Sequence, residues 1–218
     1  MLKKLILFPF GGNSREALLS VLAINKKRKT WDVVGFIDDN TATHGKEYLG
    51  IKVLGGKDIL KAFSKAKVLA VPGNPDNFLK RKQFIADLKL DSSRFATIID
   101  PSVTLSPDAK VGCNTLLMAN VFVSCGATIG EHCVVLPNTV VSHDSIIGDY
   151  CCVGSNVSIS GNVVIAPMCY IGSGVRVKER ISIKKETLIG LGSTVISDIE
   201  EGVVAVGCPA HVIRKVGR

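Results

Sequence analysis

The 218-residue sequence has few aromatic side chains, with one tryptophan and three tyrosines, and only four histidines. No basic stretch is interleaved with aromatic residues, which argues against nucleic-acid binding. No apolar run approaches the roughly 20 residues that span a membrane. The run that follows Lys4 ends at Pro9, too early for a signal peptide. The seven cysteines have no paired spacing, which favours free thiols in a reducing compartment. We therefore expect a cytoplasmic protein that neither binds nucleic acid nor inserts into a membrane.

The net charge of +8 resides in the first part of the chain. Residues 1–96 contain 18 basic and 9 acidic side chains, whereas residues 97–218 contain 9 and 10. A basic excess favours a phosphate-bearing ligand. Solvated helix faces, such as the one that carries Lys26 to Lys29, explain the excess equally well.

A strict six-residue repeat covers the second part of the chain. Seventeen aliphatic residues stand at every sixth position from Ile99 to Val195, and the position two residues before each is small or β-branched. Helices repeat every three to four residues and strands every two, so a period of six predicts short strands separated by corners, in a parallel β-solenoid. With three repeats per coil, Cys133, Cys151 and Cys169 stack in an interior ladder. We interpret this ladder as small core residues rather than as a thiol or metal site.

Residues 1 to about 96 have the pattern of a small α/β unit. The predicted strands are Lys4–Phe8, Trp31–Ile37 and Lys67–Val71, and the predicted helices are Ser14–Asn25 and Asp76–Lys89. Ligands of open parallel sheets bind at the carboxyl ends of the strands, with phosphates at a helix N-terminus. The sequence therefore predicts a ligand site at this edge, although the full glycine fingerprint of dinucleotide-binding folds is absent.

The first predicted helix has a plausible start signal. Asn13 and Glu16 have the spacing of a capping box. The apolar side of the helix is expected to be Ala17, Leu18, Val21 and Leu22.

His143 and Asp144 are the best candidates for acid–base chemistry. Histidine is suited to proton transfer near neutral pH. His143 follows the repeat residue Val141 by two positions, which places it at a corner with its side chain outward. The adjacent Asp144 can orient the imidazole and stabilise its protonated form. His132 lies in a segment without this pattern, and we expect it to be structural.

Several motifs together resemble one family. They are the hexapeptide repeat, Gly11-Gly12, the segment Gly35–Asn40, the segment Val141–Asp149 and the turn Val206–Ala210. The chain resembles the sugar O- and N-acetyltransferases that join a Rossmann-like domain to a left-handed β-helix, among them sialic acid O-acetyltransferases and bacterial nucleotide-amino-sugar N-acetyltransferases. The resemblance implies a Rossmann-like sugar-nucleotide-binding domain over residues 1–96. It also implies a left-handed β-helix acyltransferase domain with a C-terminal tail over 97–218, acetyl-CoA as co-substrate, a homotrimer and no metal.

The resemblance also implies roles for individual residues. His143 is the general base and Asp144 raises its basicity. Cys152 stands where the family often has a second histidine near the acyl-CoA carbonyl, and Ser173 and Leu191 contact the pantetheine through their backbone. The nucleotide-sugar pocket is lined by Gly11, Gly12, Asn13, Asp38, Asp39 and Asn74. The segment from Pro9 to Ser14 departs from the family's first turn, because its first glycine and its histidine are missing.

Four functions compete on these grounds. N-acetylation of a nucleotide-linked amino sugar for bacterial surface glycan synthesis is favoured, and O-acetylation of a sialic or other nonulosonic acid uses the same base. A zinc enzyme of the carbonic anhydrase type needs three histidine ligands, and the repeat contains only His132 and His143. A purely structural or ice-binding solenoid needs an outward Thr-x-Thr array, which the sequence lacks, and does not explain the α/β unit.

Overall fold

The computed structural model describes residues 2–217 and begins with a small α/β region. Its elements are β1 (Lys3–Phe8), α1 (Gly12–Lys27), β2 (Trp31–Phe36), β3 (Glu47–Tyr48), β4 (Ile51–Lys52), β5 (Lys67–Ala70) and α2 (Arg81–Ala86). Strands β1, β2 and β5 form a parallel sheet in the order β2-β1-β5, and β3 and β4 form a separate antiparallel hairpin. Short 3-10 helices lie at Thr41–Thr43, Lys57–Lys61, Phe78–Lys80 and Ser92–Arg94. The carboxyl ends of β1, β2 and β5 meet at one edge.

Helix α1 differs from its prediction at its start and on its buried face. It begins at Gly12, its N-cap is Gly11, and no side chain caps it. The predicted capping box is wrong because the Asn13 amide instead donates to the carbonyl of Val71 (3.2 Å) and, more weakly, to that of Gly73 (3.4 Å). Leu22 is exposed. The buried face consists of Ser14, Ala17, Leu18, Ser20 and Val21.

The predicted helix Asp76–Lys89 is shorter in the structure. The Oδ1 atom of Asn74 accepts the backbone N–H groups of Asp76 (2.9 Å) and Asn77 (3.1 Å). Such side-chain bonds compete with the helical pattern, so the segment forms a turn, a 3-10 turn and then α2. The prediction also missed that Arg81, the first residue of α2, is fully buried.

The β-solenoid contains seventeen two-residue strands, each of which ends on an aliphatic residue of the repeat. They are β6 (Ile98–Ile99), β7 (Thr104–Leu105), β8 (Lys110–Val111), β9 (Leu116–Leu117), β10 (Phe122–Val123), β11 (Thr128–Ile129), β12 (Val134–Val135), β13 (Val140–Val141), β14 (Ile146–Ile147), β15 (Cys152–Val153), β16 (Ser158–Ile159), β17 (Val164–Ile165), β18 (Tyr170–Ile171), β19 (Arg176–Val177), β20 (Ser182–Ile183), β21 (Leu188–Ile189) and β22 (Thr194–Val195). Each strand pairs in parallel with the strand eighteen residues away, as in the register Val123, Val141, Ile159. The predicted solenoid is therefore confirmed, with about six turns.

The strands form the three faces of a prism. The first face contains β6, β9, β12, β15, β18 and β21, and the second contains β7, β10, β13, β16, β19 and β22. The third face contains β8, β11, β14, β17 and β20. A C-terminal antiparallel hairpin of β23 (Val203–Gly207) and β24 (Ala210–Lys215) extends the first face. The α/β region packs on the first face, where its Leu7 and Ala17 share a core cluster with Leu116 and Val134.

The small polar residues of the repeat form hydrogen bonds with backbone carbonyl groups at the corners of the prism. Hydroxyl groups of Thr115, Thr139 and Ser145 donate to corner carbonyls fifteen residues ahead at 2.7–2.8 Å. Cys133 and Cys169 make the same contact through sulfur at 3.1 Å. Burial raises the pKa of Cys133 to about 12, so it remains a neutral thiol. The cysteine ladder thus behaves as core packing with weak hydrogen bonds.

No helix within residues 2–217 combines the length and the apolar character that crossing a bilayer requires.

Candidate active site

A cavity of about 450 Å³ opens at the carboxyl ends of β1, β2 and β5. The sequence-predicted substrate residues Gly11, Gly12, Asn13, Asp38, Asp39 and Asn74 all line it. The sequence did not single out Phe8, Pro9, Pro72, Asn77 and Phe84, which line it as well. The structure thus brings all six predicted residues to one cavity.

The N-terminus of α1 lies at the wall of this cavity. The N–H groups of Gly12, Asn13 and Ser14 have no hydrogen-bond acceptor within residues 2–217, and the first turn has no acidic residue. The Ser14 hydroxyl is buried and has no partner either. Free N–H groups and the helix dipole attract phosphate or carboxylate groups.

The two aspartates build the rim of the cavity. Asp38 accepts the N–H groups of Phe10 (2.9 Å) and Asn40 (2.8 Å). Asp39 accepts the N–H of Lys57 at 2.9 Å and forms an ion pair with its ammonium group at 3.4 Å. Both carboxylates therefore fix loops, and each retains lone pairs that can accept a ligand hydroxyl.

Arg81 connects the cavity wall to the solenoid. Its guanidinium donates to the carbonyl of Pro72 and, at 2.7 and 3.0 Å, to that of His132. A Cβ added at Gly73 would lie 3.5 Å from Nη1 of Arg81 and 3.6 Å from Sγ of Cys152. Cys152, the predicted acyl-CoA residue, is buried in a narrow cleft that it shares with Asn13 and Gly73.

His132 is enclosed at the same junction. Its Nδ1 accepts from the Asn114 side chain at 2.9 Å, and its ring stacks on Tyr150 with centroids 4.7 Å apart and meets Phe95 edge-on. Burial, with the positive charge of Arg81, lowers the pKa of His132 to about 4. The imidazole is therefore neutral near pH 7 and is part of the packing.

Acid should weaken the fold through His132. The ordinary pKa of 6.5 applies once the chain unfolds, and the pKa is about 4 in the folded state. The stabilisation from keeping this ring neutral is thus fully present above pH 6.5 and is lost as the pH falls towards 4. We expect a loss of about 3 kcal/mol in the free energy of unfolding over this window, measured by urea titration. His132→Asn removes the titrating group and suits the positive φ of this position. A variant that kept the wild-type slope would contradict the prediction.

His143 and Asp144 form a hydrogen-bonded pair at a corner of the prism. They lie between β13 on the second face and β14 on the third. Nδ1 of His143 is 2.9 Å from Oδ2 of Asp144, and the side chains are 54% and 61% exposed. Asp144 has a φ of 57°, which turns the chain and brings its carboxylate beside the ring of the preceding residue. Nε2 has no hydrogen-bond partner within residues 2–217, as a base that is oriented through Nδ1 requires.

The structure does not bring this pair to the cavity within one chain. The cavity and Cys152 lie on the first face, whereas His143 lies at the corner between the other two. Ser173 and Leu191 stack one above the other at the corner between the first and second faces, and the Leu191 side chain is 83% exposed. The predicted site residues thus form three groups on one protomer.

The second part of the chain matches the sequence model of a known protein family. The sequence model described as the GMPPB C-terminal domain matches residues 95–203, half of the chain. The chain belongs to this family. No curated protein sequence matches it significantly.

Several solved structures are similar to nearly the whole chain, including its α/β region. PerB from Caulobacter crescentus, in complex with CoA and GDP-perosamine, has 25% identity and a TM-score of 0.82 over 97% of both chains. The acetyltransferase domain of PglB from Neisseria gonorrhoeae has 22% identity and a TM-score of 0.84 over 97% of this chain and 100% of that one. WeeI from Acinetobacter baumannii has 21% identity and a TM-score of 0.75 over 98% and 100%. The latter two show the shared fold.

The match to PerB confirms the resemblance to the hexapeptide-repeat sugar acetyltransferases. The solenoid of this family member is accordingly of the left-handed β-helix type, and the protein is an acyltransferase.

Sequence reasoning missed Arg81 and Asn114 at the junction. Arg81 lies between Lys80 and Lys82, a pattern typical of a solvated helix face. Its burial depends on the carbonyls of Pro72 and His132, which are 9 and 51 residues away. Asn114 directly precedes Thr115, a small residue of the repeat, and in the sequence it looks like any other corner residue. The one signal that could have identified Asn114 is its polar side chain at a corner of the first face, opposite the end of β5.

Proposed function

We propose that this protein is an acetyl-CoA-dependent N-acetyltransferase that acts on the amino group of a nucleotide-linked amino sugar. The observation that carries the proposal is the exposed pair of His143 and Asp144, with Nδ1 bonded to the carboxylate and Nε2 available. The likeness to PerB over 97% of both chains supports the choice of substrates, because PerB was solved with CoA and GDP-perosamine.

His143 supplies the proton transfer of this reaction. As the neutral amine of the sugar forms a bond to the thioester carbon, Nε2 accepts the proton that the nitrogen loses. Asp144 holds Nδ1–H and stabilises the imidazolium. Collapse of the tetrahedral intermediate breaks the carbon–sulfur bond, and the CoA thiolate takes the proton back from Nε2. The base is then neutral for the next turnover.

The cavity of the α/β region suits the nucleotide part of the acceptor. We take the α/β region to be Rossmann-like, so that Gly12 and Asn13 at the start of α1 would bind a diphosphate through their free N–H groups. Asp38 and Asp39, which also line the cavity, would accept ribose or sugar hydroxyls. The basic excess of residues 1–96 favours such an anionic ligand. Cys152, Ser173 and Leu191 would contact the pantetheine of acetyl-CoA.

A homotrimer would complete the site. The α/β region covers the first face, whereas Phe122 and Val140 on the second face and Ile146 and Val164 on the third are exposed. These apolar residues flank the corner that carries His143, and such surface is typical of an interface between copies. A neighbouring protomer on these faces would bring its own cavity to His143, which a single chain does not do.

Thiol release from acetyl-CoA tests the function directly. The acceptors are UDP-, dTDP- and GDP-linked amino sugars, and free and CMP-activated nonulosonic acids. We expect release with at least one nucleotide-linked amino sugar and a product that withstands hydroxylamine, because an amide resists this nucleophile. Release with nonulosonic acids alone, and a hydroxylamine-labile product, would establish the O-acetyltransferase instead. A wholly inactive panel would contradict both.

A further inference from the structure

Gly161 lies directly beneath the catalytic corner. It occupies the same corner position as His143, one coil further on, and Asn162 next to it donates its N–H to the His143 carbonyl at 3.0 Å. The corner position is filled in successive coils by Pro107, Cys125, His143, Gly161 and Glu179. Four of these five residues have side chains, and Gly161 does not have a left-handed φ. The backbone therefore does not require glycine at this position.

The His143 ring occupies the space that a side chain at Gly161 would need. A Cβ built on Gly161 would lie 2.5 Å from Cε1 and 3.1 Å from Cδ2 of His143, and closer still to Nε2. Such distances are well inside van der Waals contact. The imidazole edge that carries Nε2 thus rests on the bare backbone of the next coil.

Gly126 accommodates the partner carboxylate in a similar way. A Cβ at Gly126 would lie 3.4 Å from Cγ of Asp144 and would collide with Oδ1. Gly126 has a φ of 66°, and Asp144 and Asn162 at the same corner position have φ values of 57° and 59°. Since these residues carry side chains at a left-handed φ, the close approach of Asp144 distinguishes Gly126 from them.

We propose that Gly161 is a positioning residue for the reaction, and that it acts with Gly126 to hold the His143 and Asp144 side chains in one arrangement. This inference rests on the proposed function for its catalytic consequence. His143 is half-exposed, so few contacts restrict its rotamer. Contact of the Nε2 edge with Gly161 and the bond of Nδ1 to Asp144 together restrict the ring to one orientation. Preorganisation of this kind contributes to rate because small misplacements of a catalytic group are costly.

Gly161→Ala is the discriminating variant. The added methyl group forces the ring off the backbone, so we expect kcat to fall by about 30-fold or more, with the KM for acetyl-CoA within about twofold of wild type. Thermal unfolding should stay close to wild type because φ at this position suits alanine. Glu179→Ala places the same side chain at the equivalent corner of the next coil and should leave both kinetic constants unchanged. Gly126→Ala is less clean because its φ adds backbone strain.

The nitrogen-15 spectrum of the His143 ring separates positioning from other effects. In the wild type we expect the tautomer with hydrogen on Nδ1, bonded to Asp144, and in Gly161→Ala a mixture of tautomers. Unchanged kcat with an unchanged ring spectrum would overturn the proposal. A fall in kcat with an unchanged spectrum would overturn it too, because the methyl group would then act on the substrate. If His143→Ala were active but the Gly161→Ala spectrum had changed, the steric inference would stand and the proposed base would fall.

Discussion

His143→Ala should lower kcat by about 10²–10⁴-fold, the range that a general base contributes. The substitution removes the imidazole that we propose accepts the proton of the attacking amine. The side chain is 54% exposed and its hydrogen bond to Asp144 lies on the surface, so the fold and the proposed homotrimer should persist. Steady-state thiol release, with circular dichroism and sedimentation as checks, measures the effect. A variant that retained a near-normal rate would remove His143 from the mechanism.

Mixing two inactive variants provides the control. A Cβ at Gly12 meets nothing within 4 Å, and an acidic residue suits a helix N-terminus. Gly12→Asp should therefore fold while it repels a diphosphate from the cavity. Co-expressed His143→Ala and Gly12→Asp chains should recover about a quarter of wild-type activity if each site combines two protomers at random. Absence of recovery would contradict the shared site.

Asn114→Ala should lower the free energy of unfolding by about 3–5 kcal/mol. The Asn114 side chain accepts the N–H of Ala70 and donates to its carbonyl, both at 2.8 Å, and donates to Nδ1 of His132 at 2.9 Å. Asn114 is fully buried, so alanine leaves three polar groups unsatisfied at about 1 kcal/mol or more each. Its φ of 52° adds about 1 kcal/mol for alanine. Urea unfolding at pH 7.5 measures the loss.

Asn156→Ala isolates the backbone contribution. Asn156 has a φ of 55°, close to that of Asn114, and its side chain is exposed. The substitution should therefore cost about 1 kcal/mol. Equal losses in the two variants would show that the bonds to Ala70 and His132 contribute nothing.

The solenoid was predictable because each coil repeats the same chemical requirement. One aliphatic and one small side chain per strand must fill the prism, so the pattern from Ile99 to Val195 indicates both the strands and their register. The three strands of the parallel sheet were also predicted to within one residue at each end. In these segments local sequence and tertiary packing agree.

The sequence could not predict features that depend on distant contacts. The helix expected from Asp76 fails because the Asn74 side chain binds the backbone locally and because Arg81 turns inward to carbonyls of the junction. The Asn13 amide donates to the carbonyls of Val71 and Gly73, which follow β5. The spacing of residues along the helix gives no indication of these bonds. Among the candidate site residues, the pairing of His143 with Asp144 was predictable, since they are adjacent at a corner. Their separation from the cavity required the order of the three faces.

The C-terminal hairpin determines how this molecule can associate with others. A solenoid that simply stopped would present a row of unpaired backbone groups, ready to template another molecule end to end. Here β24 runs antiparallel to β23, so the chain direction at the end of the first face opposes that of every coil below it. Its exposed residues include Lys215, whose positive charge discourages a like copy from adding there. Fibre growth along the prism axis is thereby disfavoured, and assembly is directed to the sides of the prism.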